Sequence, residues 1–341
     1  MFESTSAKSL VCQFEVLFWS FFFLSMKYNV FNKAISQKGV IKMAEVNYQK
    51  LVDEMRKAFK DGDDKRDEGL PTSIPEVERF DDIAYGKDPK YQLLDVYLPS
   101  KRTDAKLPVI VNIHGGGWVY GTKETYQFYC MALAKEGFAV VNANYRLAPD
   151  VVYPGELDDV NRVFHWVADP TNAAKYQLDL DNVFIVGDSA GGQMGEQILA
   201  AYTNADYRKY FGYSVPDLTI KAAALNCGAY FLTEKISSIV GAPEAYFRPE
   251  IRLTEHDQLN AEQFLTTDLP PLFLMTCTDD FLRDNAYMLS GYLHAKGIYH
   301  EIHFYGDPDN RRGHVFNVNQ KDDLAKQCNL DELNFFRKYI N

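Results

Sequence analysis

In Gly187-Asp188-Ser189-Ala190-Gly191-Gly192 a serine stands between glycines two places before and two places after it. The preceding Asn182-Val183-Phe184-Ile185-Val186 is apolar and β-branched enough for a buried strand. Residues 193–201 read as a helix. A strand that turns into a helix within one residue leaves little room around the turn. The serine must take a strained backbone, side chains at the flanking positions would collide, and glycine removes the collision. The serine hydroxyl is then pushed out above a sheet, beside the positive end of the following helix, as in the G-x-S-x-G elbow. The fold must therefore be one in which a strand hands over to a helix at the edge of a sheet.

The rest of the chain supplies such a sheet. Strand-like runs at 77–85 and 93–98 are separated by turn residues and form a hairpin. Further strands follow at 108–113, 138–142, 182–186, 220–227, 271–277 and 301–305. Helical patterns at 123–136, 157–167, 193–201 and 284–296 lie between them, with a C-terminal helix marked by Leu333, Phe336 and Ile340. Eight strands, antiparallel at first and then alternating with helices, predict an α/β domain with a mostly parallel sheet flanked by helices. Residues 231–268 interrupt the alternation and read as a small cap insertion. No internal repeat or low-complexity tract is visible.

The amino-terminal part divides differently. Residues 1–42 carry an aromatic run at 16–24, too short to span a bilayer and poorly matched to a signal peptide. Met43-Ala44-Glu45 reads as a second start, which would make 1–42 an extension outside the fold. Residues 43–75 read as a helical arm: apolar positions over 46–60 form a short amphipathic helix, and the charge run 61–69 forms a solvated link. The catalytic domain spans 76–341.

Composition removes some functions. A net charge of −11 argues against a nucleic-acid binder. The five cysteines, Cys12, Cys130, Cys227, Cys277 and Cys328, are odd in number and contain no C-x-x-C, so neither a zinc site nor a disulfide framework follows. A cytoplasmic location fits them best. Partners are expected to be a small-molecule substrate and no membrane, with a homo-oligomer compatible.

A serine nucleophile needs a base, and the base needs a carboxylate. Of the seven histidines, His314 lies in the loop 307–314, just past the last predicted strand, where parallel sheets place their sites. Asp279, Asp280 and Asp284 compete for the acid after strand 271–277. The order Ser…Asp…His is the one the elbow motif predicts. Oxyanion donors are expected from the backbone N–H of Ala190 and from Gly116 and Gly117 in His114-Gly115-Gly116-Gly117-Trp118.

These motifs resemble the α/β-hydrolase superfamily. Within it they resemble the hormone-sensitive-lipase-like esterases, which carry H-G-G-G, Y-R-L-A-P (here Tyr145 to Pro149) and G-D-S-A-G-G. Their D-P-L-R-D-E segment places the catalytic acid at its first aspartate. Asp280-Phe281-Leu282-Arg283-Asp284-Asn285 matches it with two changes, which selects Asp280. Their H-G-F corresponds to His314-Val315-Phe316, without the glycine. The resemblance, over about 76–340, implies a serine carboxylesterase acting on short-chain or compact aromatic acyl esters, related to feruloyl and acetyl esterases. It implies Ser189, Asp280 and His314 as catalytic residues and no metal or cofactor. Trp118, Tyr246 and Phe247 are expected to contact substrate, and Tyr230, Phe231, Ile236, Ile239 and Phe264 to help wall an acyl pocket under the insertion. Rival readings are a peptidase of the same fold, for which the chain leaves no room for a propeller, and a non-catalytic binding homologue, which would be expected to lack a triad residue.

Overall fold

In the central strands, apolar residues point alternately to opposite faces of the sheet. Val109, Val111 and Ile113 enter one core with Ile185 and Leu225, while Ile110 enters the other with Phe184 and Val186. The computed structural model describes residues 46–235 and 239–341. Within the compact unit Asn47–Asn341 the strands are β1 (Val77–Ala84), β2 (Leu93–Pro99), β3 (Leu107–Ile113), β4 (Ala139–Ala143), β5 (Leu178–Asp188), β6 (Ile220–Asn226), β7 (Leu272–Cys277) and β8 (His300–Tyr305). They form one eight-stranded sheet in the order β1-β2-β4-β3-β5-β6-β7-β8. β1 and β2 pair antiparallel, as do β2 and β4, and every later pair is parallel. The α/β-hydrolase architecture expected from the motifs is the one observed.

The main helices are α1 (Tyr48–Asp67), α2 (Lys123–Ala134), α3 (Gly155–Ala168), α4 (Ala190–Thr203), α5 (Arg283–Ala295) and α6 (Asp323–Arg337). α2 and α6 cover one face of the sheet, α3, α4 and α5 the other. The chain therefore changes face between the β3–β4 and β4–β5 connections. Where a doubly wound sheet reverses in this way, a crevice opens at the carboxyl ends of the adjacent strands. Here those strands are β3 and β5, paired Ile113 with Gly187 at their ends. The two glycine-rich motifs leave the sheet from these two positions.

Two expectations are corrected. The charge run after residue 60 is not a link, because α1 continues to Asp67. Its exposed pairs Lys57–Asp61 and Lys60–Asp64, at 2.5 and 2.7 Å, add only a few tenths of a kcal/mol each. Tertiary contacts decide the length. Val52 is wholly buried, Tyr120 Oη donates to Asp63 at 2.9 Å, and Arg66 pairs with Asp63 and Asp67 while reaching the Thr125 carbonyl. Ile340, expected on the inner face of the last helix, lies beyond its end at Arg337 but still packs on the core.

The insertion is built of short pieces: 3₁₀ turns at Ala242–Ala245 and Ala261–Phe264, and helices at Pro249–Thr254 and His256–Leu259. It does not stand alone over the sheet, since α1 packs against Ala242–Ala245. Arg56 of α1 donates to the carbonyls of Val119 (2.7 Å) and Ala148 (3.0 Å), which belong to the two loops after β3 and β4. Residues 1–42, Cys12 and Ile236 lie outside the described residues. Among the described residues no helix is long and apolar enough to cross a membrane.

Arg56 satisfies two carbonyls with a half-buried charge, so Arg56→Ala is expected to destabilise the fold by about 1–3 kcal/mol. Lys57→Ala, which removes only an exposed pair, should change stability by no more than about 0.5 kcal/mol. Urea denaturation midpoints of the two variants check this, and equal effects would refute the docking role of Arg56.

Candidate active site

Ser189 takes φ 54° and ψ −116°, a conformation that few non-glycine residues hold. The crowding that sets it is local. A Cβ on Gly187 would stand 2.5 Å from the Gly191 carbonyl oxygen, and one on Gly191 would stand 1.9 Å from the Ile113 oxygen. β5 turns into α4 with only Ser189 between them. The Ser189 N–H donates to Asn226 O at 2.9 Å, and its carbonyl accepts from Gln193 N and Ala229 N at 3.1 and 3.2 Å. Ala190 is the first residue of α4, so its N–H is one of the helix's unpaired donors and points out of the positive end.

The loop after β3 is tied to the elbow by a chain of hydroxyls and carboxylates. Tyr126 Oη donates to Asp188 Oδ2 at 2.7 Å and accepts from Gly115 N at 3.0 Å. A Cβ on Gly115 would stand 2.4 Å from that same carboxylate oxygen, so only glycine lets the loop close on Asp188. Tyr145 Oη donates to the His114 carbonyl at 2.6 Å, and its ring stacks on the imidazole at 4.0 Å. Ala148 N donates to the Trp118 carbonyl at 3.1 Å. The Y-R-L-A-P segment thus braces the H-G-G-G-W loop from behind. His114 is fully buried, and burial pushes its pKa down to about 4, so it is a neutral structural group. Gly116 and Gly117 both take positive φ, 125° and 59°. A Cβ on Gly117 would meet Met55 of α1 at 2.7 Å and Pro243 of the insertion at 3.8 Å. The cover above this loop therefore has two parts, whereas sequence reasoning named only the insertion.

Asp280 and His314 come from separate loops and meet. His314 Nδ1 lies 2.6 Å from Asp280 Oδ1. Thr276 Oγ1 donates to Asp280 Oδ2 at 2.7 Å and Leu282 N to Oδ1 at 2.9 Å. Burial alone would raise the Asp280 carboxyl, but the hydrogen bond and charge of His314, with the bonds from Thr276 and Leu282, hold it below the ordinary range. The three competing acids separate by environment. Asp279 pairs with Arg311 and takes the Arg312 carbonyl on its N–H, tying down the histidine loop. Asp284 projects into solvent from the first turn of α5. Cys227, just after the Asn226 that holds Ser189, keeps its thiol within 4.8 Å of donor atoms of Asp280 and His314.

That trio is the group among the described residues that could hold a metal. Its chemistry fits poorly. Asp280 and His314 already satisfy each other, and burial raises the Cys227 thiol far from its metal-binding thiolate form. Three other histidines are engaged elsewhere: His300 with Ser290, His303 against Phe273, and His165 beside Ser214. Cys130, Cys227, Cys277 and Cys328 are all buried free thiols.

Residues 94–282 match the BD-FAE family model, over half of the chain. The chain belongs to the BD-FAE family. It is a hormone-sensitive-lipase-like α/β-hydrolase and a carboxylic ester hydrolase. It is 29% identical over 247 residues to carboxylesterase NlhH of Mycobacterium tuberculosis, covering 68% of this chain and 74% of that one. It is 30% identical over 210 residues to versiconal hemiacetal acetate esterase of Dothistroma septosporum, covering 56% of this chain and 62% of the other. Among solved structures, inhibited Esterase B from Lactobacillus rhamnosis superposes with a TM-score of 0.76 at 27% identity, covering 86% of this chain and 97% of that one.

In this esterase the three expected substrate contacts are placed differently from the expectation. Trp118, Tyr246 and Phe247 are almost wholly buried. Trp118 stands edge-on to Phe247 at 4.7 Å, its Nε1 donates to Gln193 at 3.2 Å, and Tyr246 and Phe247 both pack against Tyr153. They form an aromatic wedge behind the Gly115–Gly117 loop rather than an open wall. Aromatic side chains bury large areas, and the insertion uses its own to seal itself to the sheet. Tyr230 and Ile239 are buried in the same core. A groove of about 320 Å³ lined by Leu70, Ile74, Phe128, Met131, Leu330 and Leu333 lies between α2 and α6 and touches none of these residues.

Some supporting residues carried no sequence signal. Asn226 holds Ser189 by its carbonyl, and its side chain donates to Glu332 at 2.7 Å, which also accepts from Tyr129 at 2.8 Å. Burial pushes the Glu332 carboxyl from its ordinary 4.5 up to about 7, and that of Asp188 from 3.8 up to about 6. Each raised group holds a proton in the folded chain that the unfolded chain has lost. The stabilisation is thus full below the unfolded value and lost as pH rises through the folded one. For Glu332 the window runs from about 4.5 to about 7. Glutamine at this position can accept from Asn226 and donate to Tyr129 without titrating. Glu332→Gln is expected to reduce the fall in stability across that window by on the order of 1–3 kcal/mol. Denaturation midpoints at several pH values check this, and a curve parallel to the parent's would contradict it.

Proposed function

We propose that this esterase works through a Ser189–His314–Asp280 triad and an acyl-enzyme, on short-chain or compact aromatic acyl esters. The observation that carries the reading is the 2.6 Å bond between His314 Nδ1 and Asp280 Oδ1, formed between two loops at the carboxyl edge of the sheet that also presents Ser189. With Asp280 on Nδ1, the other ring nitrogen of His314 is left to accept the Ser189 proton. Ser189 Oγ attacks the ester carbonyl, and the oxygen that becomes negative is held by the N–H groups of Ala190, Gly116 and Gly117. The positive φ of both glycines and the Tyr126–Asp188 brace support that orientation. His314 returns its proton to the departing alcohol. It then activates water, which releases the acid and restores Ser189.

Support for a small acyl group comes from the closed wedge of Trp118, Phe247 and Tyr246, which leaves little depth behind the oxyanion loop. The C4-C4 SN3 tributyrin phosphonate complex of Esterase B, at 26% identity and a TM-score of 0.75, supports short acyl chains by likeness. A phosphonate mimics the tetrahedral stage of ester attack. The buried free thiols support a cytoplasmic location.

Ser189→Ala is expected to fold normally and lose p-nitrophenyl acetate hydrolysis by about 10³-fold or more. Asp280→Asn should lose by a similar order, while Asp284→Asn stays within about twofold because its carboxylate faces solvent. Activity of Ser189→Ala within tenfold of the parent would refute the nucleophile assignment. In a p-nitrophenyl series, rates should fall from short to long acyl chains, and an optimum at about twelve carbons or more would refute the shallow pocket.

A further inference from the structure

Phe281 is the most exposed aromatic ring among the described residues, at 74%. A single exposed apolar side chain is ordinary on a protein surface. The placement of this one is less so. Its two neighbours, Asp280 and Leu282, are buried, and the Leu282 N–H is bonded to the Asp280 carboxylate. The backbone is thus held on both sides, and the Phe281 ring goes the other way, outward and onto His314. The two ring centroids are 4.2 Å apart and inclined by 43°. Phe281 packs into neither hydrophobic core. It is also one of the two positions where this chain departs from the D-P-L-R-D-E segment it resembles.

The chemistry of His314 says what passes this ring. In the triad reading, on which this inference rests, the imidazole gives its proton to the leaving alkoxide. That oxygen must come within hydrogen-bond reach of the outer ring nitrogen, about 3 Å. The carbon skeleton of the alcohol then lies alongside the imidazole, on the side away from the acyl group held by Ser189. An open phenyl ring in contact with that imidazole is within reach of the alcohol.

We propose that Phe281 forms the surface of an alcohol subsite, selecting esters whose alcohol portion is apolar or aromatic. The acyl side is closed by the buried wedge of Trp118 and Phe247, so the two halves of the ester meet different surroundings. Selection by Phe281 acts only while the alcohol is attached. Once it leaves, all acetate esters give the same acetyl-enzyme, so the effect belongs to kcat/KM, and a kcat limited by deacylation is common to them.

The test compares benzyl acetate with methyl acetate, and p-nitrophenyl acetate with p-nitrophenyl butyrate, on the parent, Phe281→Ala, Phe281→Leu and Phe281→Tyr. The benzyl-to-methyl ratio of kcat/KM should fall about three- to tenfold in Phe281→Ala, the worth of one aromatic contact, and be kept in Phe281→Tyr. The acetate-to-butyrate ratio should not move. A benzyl-to-methyl ratio unchanged in Phe281→Ala, including an equal loss on both esters, overturns the subsite. So does a change confined to the acyl ratio. If Phe281→Ala does not fold, Phe281→Leu decides by the same ratio. Failure of the triad reading would look different: Ser189→Ala would retain hydrolysis of both esters.

Discussion

The turn from β5 into α4 has no residue to spare. Gly187, Gly191 and the end of β3 are packed so closely that a methyl group at either glycine would overlap a backbone oxygen. Ser189 therefore sits at positive φ, a strain of the order of 1–3 kcal/mol. It persists because the surroundings leave no alternative. The β5–β6 pairing ends at Asp188 with Asn226, and the next N–H, that of Ser189, is already bonded to Asn226. The helix that follows is buried over nearly its whole length, so the turn cannot relax without unpacking α4.

Much of the neighbouring structure keeps this corner in register with two other loops. Asp188 does so by accepting from Tyr126, whose hydroxyl also holds Gly115. His114 and Tyr145 do so by stacking, with His114 uncharged because a charged imidazole could not be solvated there. Glu332 secures Asn226 from α6. These groups are buried polar atoms in bonded networks, which rigidify when satisfied. Their cost is sensitivity to pH, since two carboxyls are raised toward neutrality by the burial that makes them useful.

The third loop arrives by a separate route. His314 is carried in by the bridge between Asp279 and Gly313 and by the Asp279–Arg311 pair, and it is stopped by Asp280. Above, α1 and the insertion meet at Gly117, with Arg56 fastening α1 to the loops after β3 and β4. The cover is a composite of a helix before the sheet and an insertion far along the chain.

The elbow, the glycine loop and the eight strands were legible because each is local. A strand shows as an apolar run, and a clash-free turn shows as glycine at a set spacing. Which of Asp279, Asp280 and Asp284 meets His314 was not open to spacing alone, and only the motif resemblance favoured Asp280. The structure separates them because burial, Thr276 and the Leu282 N–H converge on one carboxylate. The end of α1 was misread for the same reason. Charges at 61–67 look solvated along the chain, and only the packing of Tyr120 and Thr125 against Asp63 and Arg66 makes that segment helix. Aromatic residues of the insertion announce burial but not its direction. Trp118, Tyr246 and Phe247 could wall a pocket or fill a core with equal hydrophobic gain, and contacts between residues far apart in the chain decided for the core.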